Sequence, residues 1–423
     1  MTPRRFATII GTLLATFLLC ASLRAESDPN DFEGSDNERI AAAIRAAHEP
    51  GGDGVVRISS RRSQSDARSH WLLDSAILLP SDTTLVLQNC VLKLSDECRD
   101  NFIRSANCGL CVEKVAKLRN IRIIGEGAST LVGADRPRAT GDSGKRLGVN
   151  TYGTDAGRDG EAQTGDWRNI GVLLANVENF QIENLTIRNA HAWSVSLEKC
   201  RVGRICNLTF DSEETREIDG RPARVLNVDG VDLRKGCRDV VIDGVFGRTG
   251  DDLVAVTAIE RGEKLGGVLG STEVCDYSNS ENLDARNIVI RNVCGYAAGG
   301  HQIVRLLNSS GIKIEGVLID GVIDASPEGI VDRATIRIGD SNPAWGGVTP
   351  LGDTRGVIVT NIQSRSRCAV LVAGSLVDSI ISNVVNYSPE VTGVTFESGE
   401  KNVRNLRVEN WINANVASSG ESE

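Results

Sequence analysis

Through most of the chain, apolar and polar positions alternate in short runs rich in Val, Ile and Leu, the pattern of half-buried strands. One segment departs from it. "SDNERIAAAIRAA" puts Ile40 and Ile44 on one face of a helix that Ser35 or Asp36 can cap and that "EPGGDG" stops. Beyond it a phrase repeats, a small or Asn position followed by an aliphatic one: "LVLQNCVL", "NIRIIGEG", "FQIENLTI", "GRICNLTF", "VVIDGVFG", "IVIRNVCG", "IKIEGVLI", "VIVTNIQS" and "SIISNVVN". The markers are Asn89, Gly125, Asn184, Asn207, Gly244, Asn292, Gly316, Asn361 and Asn383. Several neighbours lie roughly 22 to 24 residues apart, and longer gaps read as coils with inserted loops, the signature of a solenoid. Each unit reads as a strand, a sharp turn at Asn or Gly in left-handed geometry, then another strand. Strands with no helix between them do not build a βαβ sheet. An antiparallel sandwich would show hairpin signals such as Asn-Gly, and it leaves the period unexplained.

The expected fold is therefore all-β, a single-stranded right-handed parallel β-helix, with the short N-terminal helix at Arg39–Ala47 capping one end. Two polar stretches, about residues 133–167 and 261–284, fall outside the repeat and read as loops hung from the tube.

Composition narrows the class. A chain of 423 residues with 40% hydrophobic but only 4% aromatic residues suits one elongated domain with an aliphatic interior. The net charge of -9 is spread along the chain, which excludes nucleic acid as a partner. Arg4 and Arg5 precede an apolar run, Phe6 to Leu19, with small residues near Ala25. That layout predicts a signal peptide over 1–25, a mature domain over 26–423, and a secreted or periplasmic protein without a membrane span. Ten cysteines remain after Cys20, in a compartment that permits disulfides. Cys98, Cys108 and Cys111 can form a local staple, and "CGLC" also admits a metal or redox reading. The solenoid is expected to act as a monomer.

Acids interrupt the apolar runs at "NVDGVDLRKG" and "RTGDDLVAV". Asp229 and the pair Asp251 and Asp252 lie about one coil apart, and successive coils stack at about 4.8 Å, so their carboxylates are expected to cluster on one face. Clustered acids push each other's pKa values apart, which lets one serve as a general acid while another remains a base. Glycoside hydrolysis needs that division.

In order, "NVDG", "TGDDLVAV" and "GGHQ" resemble the Asn-Thr-Asp, Gly-Asp-Asp and Gly-His-Gly motifs of the family 28 glycoside hydrolases, the polygalacturonase family. "WLLDSAILLPSDTTLVL" and "AWSVSLEKCRVGRICNLTFDS" are similar to its early coils. The resemblance implies a right-handed β-helix that hydrolyses uronic-acid-containing polysaccharides with inversion and without a metal or other cofactor. It assigns Asp251 as general acid, Asp229 and Asp252 as activators of water, and His301 as support for the acid's proton and the substrate, with Asn227 beside them in the substrate site. Val228, Leu253 and Gln302 differ mildly from the motifs, and Gly339 stands where the family's Arg-Ile-Lys has its Lys. Arg305 and Arg337 are the candidates to fork onto a substrate carboxylate. Arg337 also has Asp340 within reach as a surface pair.

The expected partner is a pectin-like polysaccharide or oligosaccharide, cleaved from an end if the long loops wall the groove. Two other readings fit the same residues. One is a lyase in which the aspartates hold calcium and Arg305 is the base, and the other is a carbohydrate-binding solenoid without catalysis. Tyr152 and Trp167 offer rings for sugar stacking. Asn184, Asn207 and Asn308 match the glycosylation pattern but also suit strand turns.

Overall fold

A computed structural model describes residues 26–62, 66–98, 100–109, 112, 114–136, 166–259, 273–275 and 281–414. The leader 1–25, Cys111 and Tyr152 lie outside them, as does most of both long loops.

The chain winds as a right-handed parallel β-helix. Its first face is a sheet of long strands such as Val177–Arg188, Arg201–Asp211, Arg238–Thr249 and Ala285–Ala297, each paired in parallel with the next coil's strand. The opposite face is a ladder of ten short strands running from Ile77–Leu79 to Thr395–Phe396. Valines and isoleucines stack between the faces: Val172, Val195, Val231, Val254, Val304, Ile336 and Val370 succeed one another in register, all with no exposed surface. Burying such a side chain contributes roughly 1.5–3 kcal/mol, so the column holds neighbouring coils in one register.

Asn89 is a left-handed turn between the strands Thr83–Gln88 and Val91–Leu94, as expected, but the later Asn positions are not turns between two strands. Asn184, Asn207, Asn292, Asn361 and Asn383 are left-handed residues inside continuous long strands, which they bend without ending. A second row lies five residues upstream, including Asn179 and Asn287, and the repeat-marker Gly316 belongs to this row: it pairs with Asn287, while Gly321 continues the Asn292 row. Side-chain amides bridge successive coils, as Asn207 Nδ2 donates to Asn184 Oδ1 at 3.2 Å. These bridges and the left-handed bends account for the asparagines structurally, and Asn308 is buried with its amide donating to Ile312 O at 2.8 Å.

Ser35 caps the helix Asp36–Ala47 in a capping box with Glu38, and Ile40, Ala43, Ile44 and Ala47 are buried against the first coils. Among the described residues no helix is long and apolar enough to cross a membrane. One feature breaks the parallel pattern: Thr215–Ile218 and Arg221–Arg224 form an antiparallel hairpin projecting from the coil before the acid motifs. Its base is pinned by Arg216, whose guanidinium donates to the carbonyls of Asn189, Ala190 and Glu213.

Two expectations change here. Trp167 has no exposed surface, because Asn101 fastens the carbonyls of Trp167 and Ile170 and Arg104 lies 5.4 Å over the ring; it has no face to offer a sugar. Cys108 is a free thiol beside Ser105, so it is not bonded to Cys98 in a staple.

Candidate active site

The short-strand face builds the site. Gly230 N–H donates to Asp252 O at 3.0 Å and Val231 pairs with Val254, which stacks the coil of Asp229 against that of Asp252. The N–H groups of Gly250 and Asp251 both reach Val228 O, and Thr249 Oγ1 donates to Asp251 O at 2.7 Å. These bonds fix the turn that presents both acids. On the following coil, Gln302 N–H donates to Asp252 Oδ1 at 3.0 Å, and His301 Nδ1 lies 3.1 Å from Asp251 Oδ1. The long gap between Asp252 and His301 is thus one coil with a looped-out insertion.

Glycines permit that closeness. A Cβ on Gly299 would meet Gly250 O at 2.2 Å, and Gly300 holds a φ of 76° just before His301. Any other residue at Gly299 would drive the His coil away from the acid pair.

A cavity of about 500 Å³ opens over this face, within the range of small-ligand sites. It is lined by all the residues to which the sequence gave a catalytic or carboxylate-binding part: Asn227, Asp229, Asp251, Asp252, His301, Arg305 and Arg337. Asn227 is in left-handed geometry immediately before Val228, which turns the chain into the site.

Burial raises the Asp251 carboxyl to about 7, the neighbouring Asp252 charge adds to the rise, and His301 and Arg305 partly offset it. Asp251 therefore remains partly protonated near neutrality, where an ordinary aspartate is ionised. Asp252 is buried, with Arg305 Nη1 at 3.3 Å as counter-charge.

Sequence reasoning missed several members. Asp232 lies in the outward-facing row that continues through Ala255 to Arg305 and Arg337, and it accepts from Thr257 Oγ1 at 3.0 Å. Strict in-out alternation along "GVDLR" is the signal that finds it. Trp193, Trp345, Arg333, Asp340 and Glu397 also line the cavity, and Glu397 comes from a coil whose sequence gives no hint of the site. Arg305 Nη2 and Arg337 Nη2 meet Asp340 Oδ2 at 2.7 and 3.0 Å. The Arg337–Asp340 pair expected at the surface is buried, and it belongs to a network that reaches Glu397 and Arg333.

Behind Trp193 a second buried cluster braces the wall. Glu198 accepts the N–H groups of Val274 and Cys275 at 3.2 and 2.7 Å and pairs with Arg234, which stacks 5.0 Å over Trp193. The described part of the second long loop is thereby tied to the tube.

A parallel β-helix with paired and stacked carboxylates in a polar cleft is an arrangement that glycoside hydrolysis can use. Residues 150–272, which contain Asn227, Asp229, Asp251 and Asp252, match the family model for glycosyl hydrolases family 28, in agreement with the motifs. No match was found among curated proteins. The fold is similar to that of an exopolygalacturonase from Thermotoga maritima, at 15% identity over 91% of this chain and 92% of that one, with a TM-score of 0.54. It is also similar to an endo-xylogalacturonan hydrolase from Aspergillus tubingensis, at 13% identity over 90% and 89% of the two chains and a TM-score of 0.55. A polygalacturonase from Erwinia carotovora gives 15% identity, 93% and 96% coverage and a TM-score of 0.51. At these identities the likeness establishes the fold.

Proposed function

We propose that this chain is an exported, inverting glycoside hydrolase acting on a uronic-acid-containing, pectin-like polysaccharide or its oligosaccharides, with preference for chain ends. The observation that carries the reading is the contact of a partly protonated Asp251 with His301, on a turn that also presents Asp252 and lies one coil from Asp229. Asp251 gives its proton to the leaving oxygen, and the bond to the anomeric carbon breaks as positive charge grows on the ring. Asp229 and Asp252 take a proton from the water that attacks the opposite side, which inverts the configuration. His301 donates toward Asp251 and returns the proton for the next cycle. The hairpin Thr215–Arg224 and the segment fastened to Glu198 stand on either side of the acid motifs in sequence and are the candidates to block a long chain. Similar folds include both an exo- and an endo-acting enzyme, so chain-end action rests on these inserts.

The elimination reading fits less well. Its base would be Arg305, yet Asp252, Asp340 and Asp251 hold the Arg305 proton more tightly than in water, against the opposing effect of burial. Asp251, Asp252 and His301 do place one ligand atom each within 4.8 Å of one another, a spacing a calcium ion can use. Incubating the protein with pectic polysaccharides, with and without chelator, separates the two. Reducing ends without ultraviolet absorbance, unaffected by chelator, are expected; absorbance that disappears on chelation would replace hydrolysis with elimination.

A further inference from the structure

The arginines of the pocket are already matched by acids. Arg305 is held between Asp252 and Asp340, Arg337 between Asp340 and Glu397, and Arg333 faces Glu397 at 2.9 Å. Ser341 Oγ also donates to Glu397. Three guanidinium charges meet three carboxylates in this corner, while Asp229, Asp232 and Asp251 add further acid to the same cavity. A second carboxylate brought here would enter a pocket whose described residues hold no surplus positive charge, and like charges at close range repel.

The unused hydrogen-bonding atoms point the same way. Arg305 Nε and Arg337 Nε are buried donors, and Gln302 Oε1 is a buried acceptor, with no hydrogen-bond partner among the described residues. All three side chains line the cavity. A sugar hydroxyl both donates and accepts, so it can satisfy both kinds of atom, whereas a carboxylate only accepts and leaves Gln302 Oε1 facing negative charge. Trp345, with Arg305 5.9 Å from its ring, adds a flat apolar wall suited to the face of a pyranose.

We infer that the sugar ring seated over Arg305 and Arg337 is a neutral one, and that Asp340 and Glu397 are the specificity-determining residues that exclude a uronate from this position. The inference rests on the hydrolase reading. It places the acidic residues of the substrate elsewhere along the cleft and makes the scissile bond one between unlike sugars.

The test compares kcat/KM of the full chain on a homouronate oligosaccharide and on one of equal length alternating uronate with a neutral sugar. The alternating substrate is expected to be favoured by about 10-fold or more, since like-charge contacts are costly at close range. In Glu397→Gln, which frees Arg333 from this carboxylate and leaves Arg337 with Asp340 alone, that preference should narrow through faster turnover of the homouronate, and Glu397→Asp should restore it. Equal or better cleavage of the homouronate by the wild-type protein overturns the inference and leaves the hydrolase reading standing. An unchanged ratio in Glu397→Gln removes Glu397 from the selection. Failure to cleave either substrate, with neutral-sugar binding also absent, overturns both; neutral-sugar binding to Asp251→Asn, measured by calorimetry with galactose against galacturonate, supports the inference independently of turnover.

Discussion

His301 Nδ1 lies 3.1 Å from Asp251 Oδ1 across two adjacent coils, although a whole inserted loop separates the residues along the chain. The contact joins a carboxyl of the cleft that is raised to about 7 to an imidazole.

Replacing that carboxyl isolates its role. Asp251→Asn keeps the shape and the buried setting but removes the proton, so kcat is expected to fall by about 10²–10⁴-fold, the usual contribution of general acid catalysis. Thermal unfolding should show an intact fold. Asp252→Asn should lose turnover as well, and full activity in either variant removes these residues from the chemistry.

The pH profile follows from the same shift. In the proposed mechanism Asp251 acts in its protonated form, so kcat/KM is expected to decline as pH rises through about 7. His301 lowers that value, hence His301→Gln should move the alkaline limb to higher pH while reducing the rate. An alkaline limb that stays in place in this variant separates His301 from the Asp251 proton.

Stability carries a matching signature. Asp332 is fully buried, accepts from Ala297 N–H at 3.0 Å and is raised by burial to about 7. A carboxyl with a folded pKa above its unfolded value stabilises the fold below the unfolded value, and that contribution is lost as pH rises through the folded one. Asp251 and Asp332 together predict melting temperatures that fall between about pH 4 and pH 7. Asp332→Asn should flatten the slope, measured by calorimetry across that range.

Arg305 is the counter-charge for two buried acids. Arg305→Met leaves Asp252 and Asp340 without it, and breaking a buried pair on one side costs about 3–5 kcal/mol. Urea unfolding should show a loss of this order. A loss below about 1 kcal/mol would assign the network the weight of an exposed pair.

Glu198 is the post to which the second long loop is tied. With Glu198→Ala the N–H groups of Val274 and Cys275 lose the Glu198 carboxylate and Arg234 loses one of its acids, keeping Glu273. Amide exchange at Val274 and Cys275 is expected to rise well above that of neighbouring strands, as a local opening does.

The architecture was largely legible because a β-helix writes each coil with the same local rules. Aliphatics spaced for a two-faced strand and Asn at one bend position recur every coil, so Asn184, Asn207 and Asn292 reveal the period without any tertiary information. The same row misplaced Gly316, since Gly adopts left-handed geometry at either of two bends and carries no side chain to tell them apart. The antiparallel hairpin did carry a local signal, since Asp219 and Gly220 are both left-handed in its two-residue turn, but the charged residues around them hide the alternation of a strand.

Asp229, Asp251, Asp252 and His301 were visible as a set because three of them lie within one repeat and the fourth follows a recognisable glycine pair. Asp340 was visible only as a surface partner of Arg337, and Arg333 and Glu397 not at all, since charged residues at strand ends carry no mark of the cleft until distant coils meet. The sequence by itself determined the coil, the aliphatic column and the acids that successive coils must stack, all consequences of local periodicity. Only the tertiary structure decided that Trp167 is buried, that Asp251 remains partly protonated near neutrality, and that the arginines are neutralised, since burial and charge balance depend on which distant coils meet.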